Sequence, residues 1–145
     1  MRKFAFLAVF ASGAGLAQAQ AQTEAQTETL ALEQLVLGEE TYFDACAGCH
    51  GGAGRGDGPM AGVLTVPVAD LSGLTARNGG SFPTFLVIHA IDGRSGLRGH
   101  GGPMPIFGML MRGDAGVIDA PDGTPVITSA RILALTAYLE TLQEE

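Results

Sequence analysis

An all-α fold is predicted from three observations. Helical apolar patterns stand near both ends of the chain, no alternating apolar run is long enough for a sheet, and glycine-rich stretches fill the middle. The first helix spans residues 30–45, where Leu32, Leu35, Val36, Tyr42 and Phe43 recur at three- and four-residue steps. Shorter helical turns are expected beyond it. Asp70 can cap one through Thr75, Pro83 suits the first position of a helix through Ile91, and Pro105 can start another through Met111. Residues 113–128, rich in Gly, Pro and Asp, are expected to form an extended surface loop. The last helix covers residues 128–142, capped by Thr128 or Ser129, with Ile132, Leu135, Leu139 and Leu142 on one stripe and Tyr138 beside it. Three to five helices with long glycine-rich loops result.

Composition limits the partners. An apolar fraction of 46% and a mean hydropathy of +0.26 exclude a disordered chain, and 22 glycines in 145 residues favour loops. With 15 acidic residues against 8 basic ones, nucleic acid and anionic membrane surfaces are excluded as partners. Arg2 and Lys3 precede an apolar run over residues 4–17, followed by Ala17, Gln18 and Ala19 in the small-x-small form that signal peptidase reads. Residues 1–19 are therefore read as a cleaved signal peptide, since the run falls short of the roughly 20 residues a spanning helix needs. No stable membrane insertion is expected after cleavage, and the remaining chain contains no lysine. Residues 20–29, with almost no large apolar side chain, read as a flexible segment ahead of a domain at 30–145.

The chemistry concentrates in Cys46, Ala47, Gly48, Cys49 and His50. C-x-x-C-H is the attachment signature of c-type haem: two thiols form thioethers with the vinyl groups, and the adjacent histidine ligates iron. On a helical turn Cys46 and Cys49 share a face, as this attachment requires. Three other readings compete. A thioredoxin-type dithiol normally opens a helix after a strand, whereas here a helix precedes the cysteines. A zinc site could draw on His50, His89 and His100, but a second closely spaced ligand pair is missing. A disulfide would close too small a loop to stabilise much.

A haem iron also needs a second axial ligand or an open position. Met104 is the candidate, because Pro103 and Pro105 fix the backbone around its thioether while Gly101 and Gly102 let the chain pass close to a flat ring. His89 and His100 are the rivals, and Met60, Met109 and Met111 read as core filler. Residues 51–58 look like a phosphate-cradling loop but lack its Gly-Lys-Ser/Thr ending, so they are read as a flexible stretch. Asp119, Asp122 and Gly123 hint at calcium without the ligand spacing for it.

From residue 30 to 142 the chain resembles the class I monohaem cytochromes c. Gly38 and Tyr42 stand eight and four residues before the first cysteine, as in that family, and Leu135 with Tyr138 match its C-terminal helix. The resemblance implies a cytochrome c-like fold around one haem c held by two thioethers to Cys46 and Cys49. It further implies His50 and Met104 as axial ligands. A proline carbonyl after the histidine would orient the imidazole, with Pro67 the match and Pro59 the alternative. Residues 78–83 and 91–94 resemble a bacterial subgroup found both as separate carriers and as subunits of respiratory complexes; export through the cleaved signal peptide implies a periplasmic location.

Two function classes follow from these residues. The first is a one-electron carrier, not an enzyme, working between redox protein partners either alone or as a cytochrome subunit of a larger oxidoreductase. The second is a haem enzyme or gas-binding sensor with an exchangeable distal site. Arg77 is the candidate for a haem propionate, and Arg94 with Arg98 for a docking pair.

Overall fold

The computed structural model describes residues 13–94 and 104–144, with side chains from residue 18 onward. Most of the expected leader, together with Arg98 and His100, lies outside the described side chains. Two compact units are distinguished, Met1–Glu33 and Gln34–Glu145. The described elements are α1 (Gly13–Ala45), α2 (Ala47–His50), α3 (Leu74–Arg77), α4 (Thr84–Asp92), β1 (Ala115–Asp119), β2 (Pro125–Ser129) and α5 (Ala130–Thr141). Among the described residues no helix is long and apolar enough to cross a membrane.

In the first unit, residues 20–29 are helical rather than a flexible segment, although their side chains are all exposed. Ala, Gln and Glu have high intrinsic helix propensity, and Thr23, Thr27 and Thr29 each return a hydroxyl hydrogen bond to the carbonyl four residues back. Low hydrophobicity removed packing here without removing helix.

The second unit rests on the crossing of α1 and α5. The buried stripe of α1 is Gly38, Thr41 and Tyr42, continued by Cys46 just past its end, not the larger apolar residues, since Leu32, Val36 and Phe43 are more than half exposed. Gly38 allows the approach: a Cβ there would lie 2.1 Å from the Ala134 carbonyl oxygen and 2.8 Å from the Tyr138 Cβ. Tyr42 is fully buried, its ring 5.4 Å from that of Tyr138, and its hydroxyl donates to the Gly51 carbonyl at 2.5 Å. Ser129 caps α5 by accepting from the Ile132 N–H. Ile132, Leu135 and Leu139 pack in one core with Val87, Ile88 and Ile91 of α4 and with Phe107 and Met111. The turn expected after Pro105 contracts to a single 3₁₀ turn at Phe107–Met109.

Residues 115–129 form a hairpin where a loop was expected. β1 and β2 pair antiparallel with Val117 opposite Ile127, and the buried side chains alternate, Val126 and Thr128 facing in. Asp122 accepts from the Thr124 N–H while Gly123 takes φ +80°, so the Asp-Gly pair read as a hint of calcium is the hairpin turn. Two short apolar pairs, each with one member exposed, gave too little alternation to mark strands.

Two measurements follow from this core. Gly38→Ala should lower stability by about 1–3 kcal/mol in denaturant unfolding despite alanine's better helix propensity, because the neighbouring atom is backbone and cannot rotate away. An unchanged midpoint would mean the helices do not cross there. Burial pushes the Tyr42 hydroxyl from 10.0 up to about 12. Above pH 10 the unfolded chain releases a phenol proton that the fold retains, so stability holds up to about pH 10 and falls as pH rises through about 12. Tyr42→Phe should cost about 1 kcal/mol at neutral pH and flatten that alkaline decline.

Candidate functional site

The cysteine motif begins where α1 ends. The Cys46 N–H still donates to the Tyr42 carbonyl at 2.8 Å, and the Cys46 carbonyl then accepts from both Cys49 at 3.1 Å and His50 at 2.9 Å. This single tight turn keeps Cys46, Cys49 and His50 together. The glycine-rich stretch after it is closely packed rather than flexible. A Cβ at Gly58 would fall 2.6 Å from the carbonyl oxygens of both Ala47 and Gly48. Gly51 takes φ +79° with the Asp57 carboxylate lying over it, and the Met60 N–H donates to the Gly48 carbonyl at 2.8 Å. Glycine is needed here because backbone lies against backbone.

His50 is buried, and its Nδ1 stands 2.9 Å from the Ala69 carbonyl oxygen. A carbonyl partner makes Nδ1 the protonated nitrogen and leaves Nε2 with its lone pair free to ligate a metal. The orienting acceptor is therefore Ala69, which corrects the expectation that Pro67 plays this part. Pro67 lines the cavity instead. The physical reason lies in the turn that follows: the Asp70 carboxylate accepts from the N–H and hydroxyl of Ser72, at 2.8 and 2.7 Å, and fixes the Ala69 peptide beside the imidazole. These hydrogen bonds from Ser72 hold the Asp70 carboxyl below the usual range.

Cys46, Cys49 and His50 open onto a cavity of about 280 Å³, just below the roughly 300–1,000 Å³ range of small-molecule sites. Met104 lines the same cavity, and Leu64, Val66, Val68 and Phe107 supply its apolar walls. Among the described residues that line it there is no side-chain hydroxyl, amide, carboxylate or guanidinium group. His89 sits half-buried on α4 and does not line it. Of the methionines expected as core filler, Met111 is buried, while Met60 and Met109 are more than half exposed.

Burial pushes the Cys46 thiol up to about 11, with the neighbouring Cys49 adding to the rise. A thiol so far from ionisation at neutral pH is a poor redox nucleophile, which weakens the dithiol reading. The cysteines are not joined to each other, and among the described residues no cluster of three or more His, Cys, Asp or Glu could hold a metal ion. That disfavours zinc. The donor set fits a haem instead: two closely spaced thiols, an imidazole with Nδ1 already engaged and a thioether, in an apolar cavity.

Three of the described arginines, among them the propionate candidate Arg77 and the docking candidate Arg94, are engaged elsewhere. Arg77 donates to the Asp70 carbonyl, Arg94 pairs with Asp92 and donates to the Ile127 carbonyl at 2.9 Å, and Arg55 pairs with Glu144 at 2.6 Å. Ala69 and the Asp70 turn carry no motif of their own, so their part in holding His50 was legible only as an Asp-x-Ser turn signal.

Residues 35–143 match the Cytochrome c family model, and this span contains the motif, the cavity and the helix crossing. No curated relative and no solved structure matches the chain. By this match over most of its length, the chain belongs to the cytochrome c family of haem-binding electron carriers.

Proposed function

We propose that the protein carries one electron at a time on a single covalently attached haem c, with His50 and Met104 as the axial ligands. The observation that carries this reading is the opening of Cys46, Cys49, His50 and Met104 onto one apolar cavity. The sequence holds two cysteines in all, which is enough for one attachment through two thioethers. Bound there, a haem supplies an iron that changes oxidation state without rearranging bonds in the protein. The chain's own residues do the rest. Cys46 and Cys49 would fix the ring edge, the Ala69 carbonyl would hold the imidazole in its tautomer, and Met104, a soft ligand, would favour the reduced iron and raise the potential.

Filling both axial positions leaves no coordination site for a substrate, so the role is transfer between redox protein partners. The cavity's apolar walls support this over an enzyme, which would need polar distal groups to steer bond cleavage. The charged N-terminus and apolar run before residue 19 support export to a periplasm, where the carrier would work alone or within a larger oxidoreductase.

Carbon monoxide added to the reduced protein tests the ligand set. The native protein should not bind it, whereas Met104→Ala should bind it, lose the weak sulfur-to-iron band of the oxidised form and show a lower midpoint potential. An unchanged spectrum in that variant would move the ligand role away from Met104. Cys46→Ser and Cys49→Ser should each reduce attachment to one thioether, detected as a shifted pyridine haemochrome band, or abolish haem retention altogether. Normal two-thioether spectra in both variants would overturn the attachment.

A further inference from the structure

We propose that Gln143, just beyond the last turn of α5, is a positioning residue for His50 and helps to set the strength of its bond to iron. The proposal rests on the reading of His50 as an iron ligand. Its ground is a chain of hydrogen bonds from the end of α5 to the Ala69 carbonyl. The half-buried Gln143 amide makes three bonds: its Nε2 donates to the Leu71 carbonyl at 2.9 Å and the Leu139 carbonyl at 2.8 Å, and its Oε1 accepts from the Thr75 N–H at 2.9 Å. One side chain thus joins α5 to both limbs of the turn at residues 71–75.

That turn begins two residues after the carbonyl that His50 uses. The Leu71 N–H donates to the Gly54 carbonyl at 2.6 Å, and the Glu144 N–H donates to the Ser72 carbonyl at 2.9 Å. Asp70 is held through its own carboxylate by Ser72 and through its carbonyl by Arg77. Of the side chains that reach this turn from α5, Gln143 alone among the described residues satisfies both a donor and an acceptor of its backbone. Without it, the Leu71 carbonyl and the Thr75 N–H both lose their partner, and the Ala69–Asp70 peptide gains freedom to rotate away from Nδ1.

The chemical consequence has a sign. A firm hydrogen bond from Nδ1–H lends the imidazole negative character, which favours the oxidised iron. Loosening the turn weakens that bond, so the midpoint potential should rise while Nδ1–H exchanges faster with solvent. A merely structural glutamine would lower stability and leave both properties alone.

The test uses the haem-loaded full chain with ¹⁵N-labelled histidine. Gln143→Met keeps length and volume but removes all three hydrogen bonds. Arg55→Gln, which removes the exposed ion pair to Glu144 at the same end of α5, is the control. The expected result is roughly tenfold or faster His50 Nδ1–H exchange and a higher potential in Gln143→Met, with neither change in Arg55→Gln. Should Gln143→Met fail to fold, Gln143→Glu keeps the acceptor for Thr75, loses the amide donor, and should show the same two changes. Lower stability with unaltered exchange and potential in the variant that folds would overturn the proposal. A separate result marks failure of the underlying reading: if His50 Nε2 in the oxidised native protein shows no paramagnetic shift, His50 is not the ligand, and the positioning role falls with it.

Discussion

The close approach of Gly38 to the Ala134 carbonyl is the contact on which the rest of this molecule depends. It lets α1 and α5 cross at backbone distance, and the end of α1 then delivers Cys46 while the end of α5 delivers Gln143. A larger residue at that crossing would separate the two helices by the width of a side chain. The haem-binding turn and the turn that orients its histidine would then be held at different spacings. The tyrosine pair beside the crossing adds a second fixed point, because the Tyr42 hydroxyl reaches the Gly51 carbonyl immediately after the motif.

Around the cavity, control passes from side chains to backbone. Cys46, Cys49 and His50 open onto it, but the atoms that fix this motif are largely peptide groups: the Cys46 and Ala69 carbonyls and the Gly58 and Met60 N–H groups. Glycines recur here because peptide groups must meet without side chains between them. The arrangement suits an electron carrier, whose site changes charge without changing shape and gains from donors and acceptors that cannot rotate.

What was legible in the sequence follows the range of the interactions. C-x-x-C-H is local, so spacing alone placed Cys46, Cys49 and His50, and the end helices announced themselves through periodic apolar residues. Gly38 was legible only as a position shared with a family, whereas Tyr42 and Tyr138 also stood in the apolar patterns of the end helices. The histidine's acceptor was not: Pro67 fitted the pattern, while the Ala69 carbonyl is used because a hydrogen-bonded turn two residues further on fixes that peptide. Backbone acceptors carry no residue identity, so sequence alone could not select one. The hairpin was missed for a different reason. Each strand buries only alternate residues over five positions, and the Asp-Gly turn that joins them is equally at home in a loop. The helix over residues 20–29 shows the converse, where propensity shaped a segment that burial left untouched.

The hairpin has a use beyond covering the core. Thr128 donates to the Asp92 carboxylate at 2.9 Å, Arg94 reaches both Asp92 and the Ile127 carbonyl, Ile106 lies against Gly93, and Gly108 lies against the Asp92 backbone. Gly93 and Ile106 therefore touch one another, and Asp92 meets both the hairpin and the chain at Gly108. The hairpin accordingly works as a clasp: through Asp92 it ties the end of α4 to the 3₁₀ turn that follows Met104, so a shift in either is felt by the other.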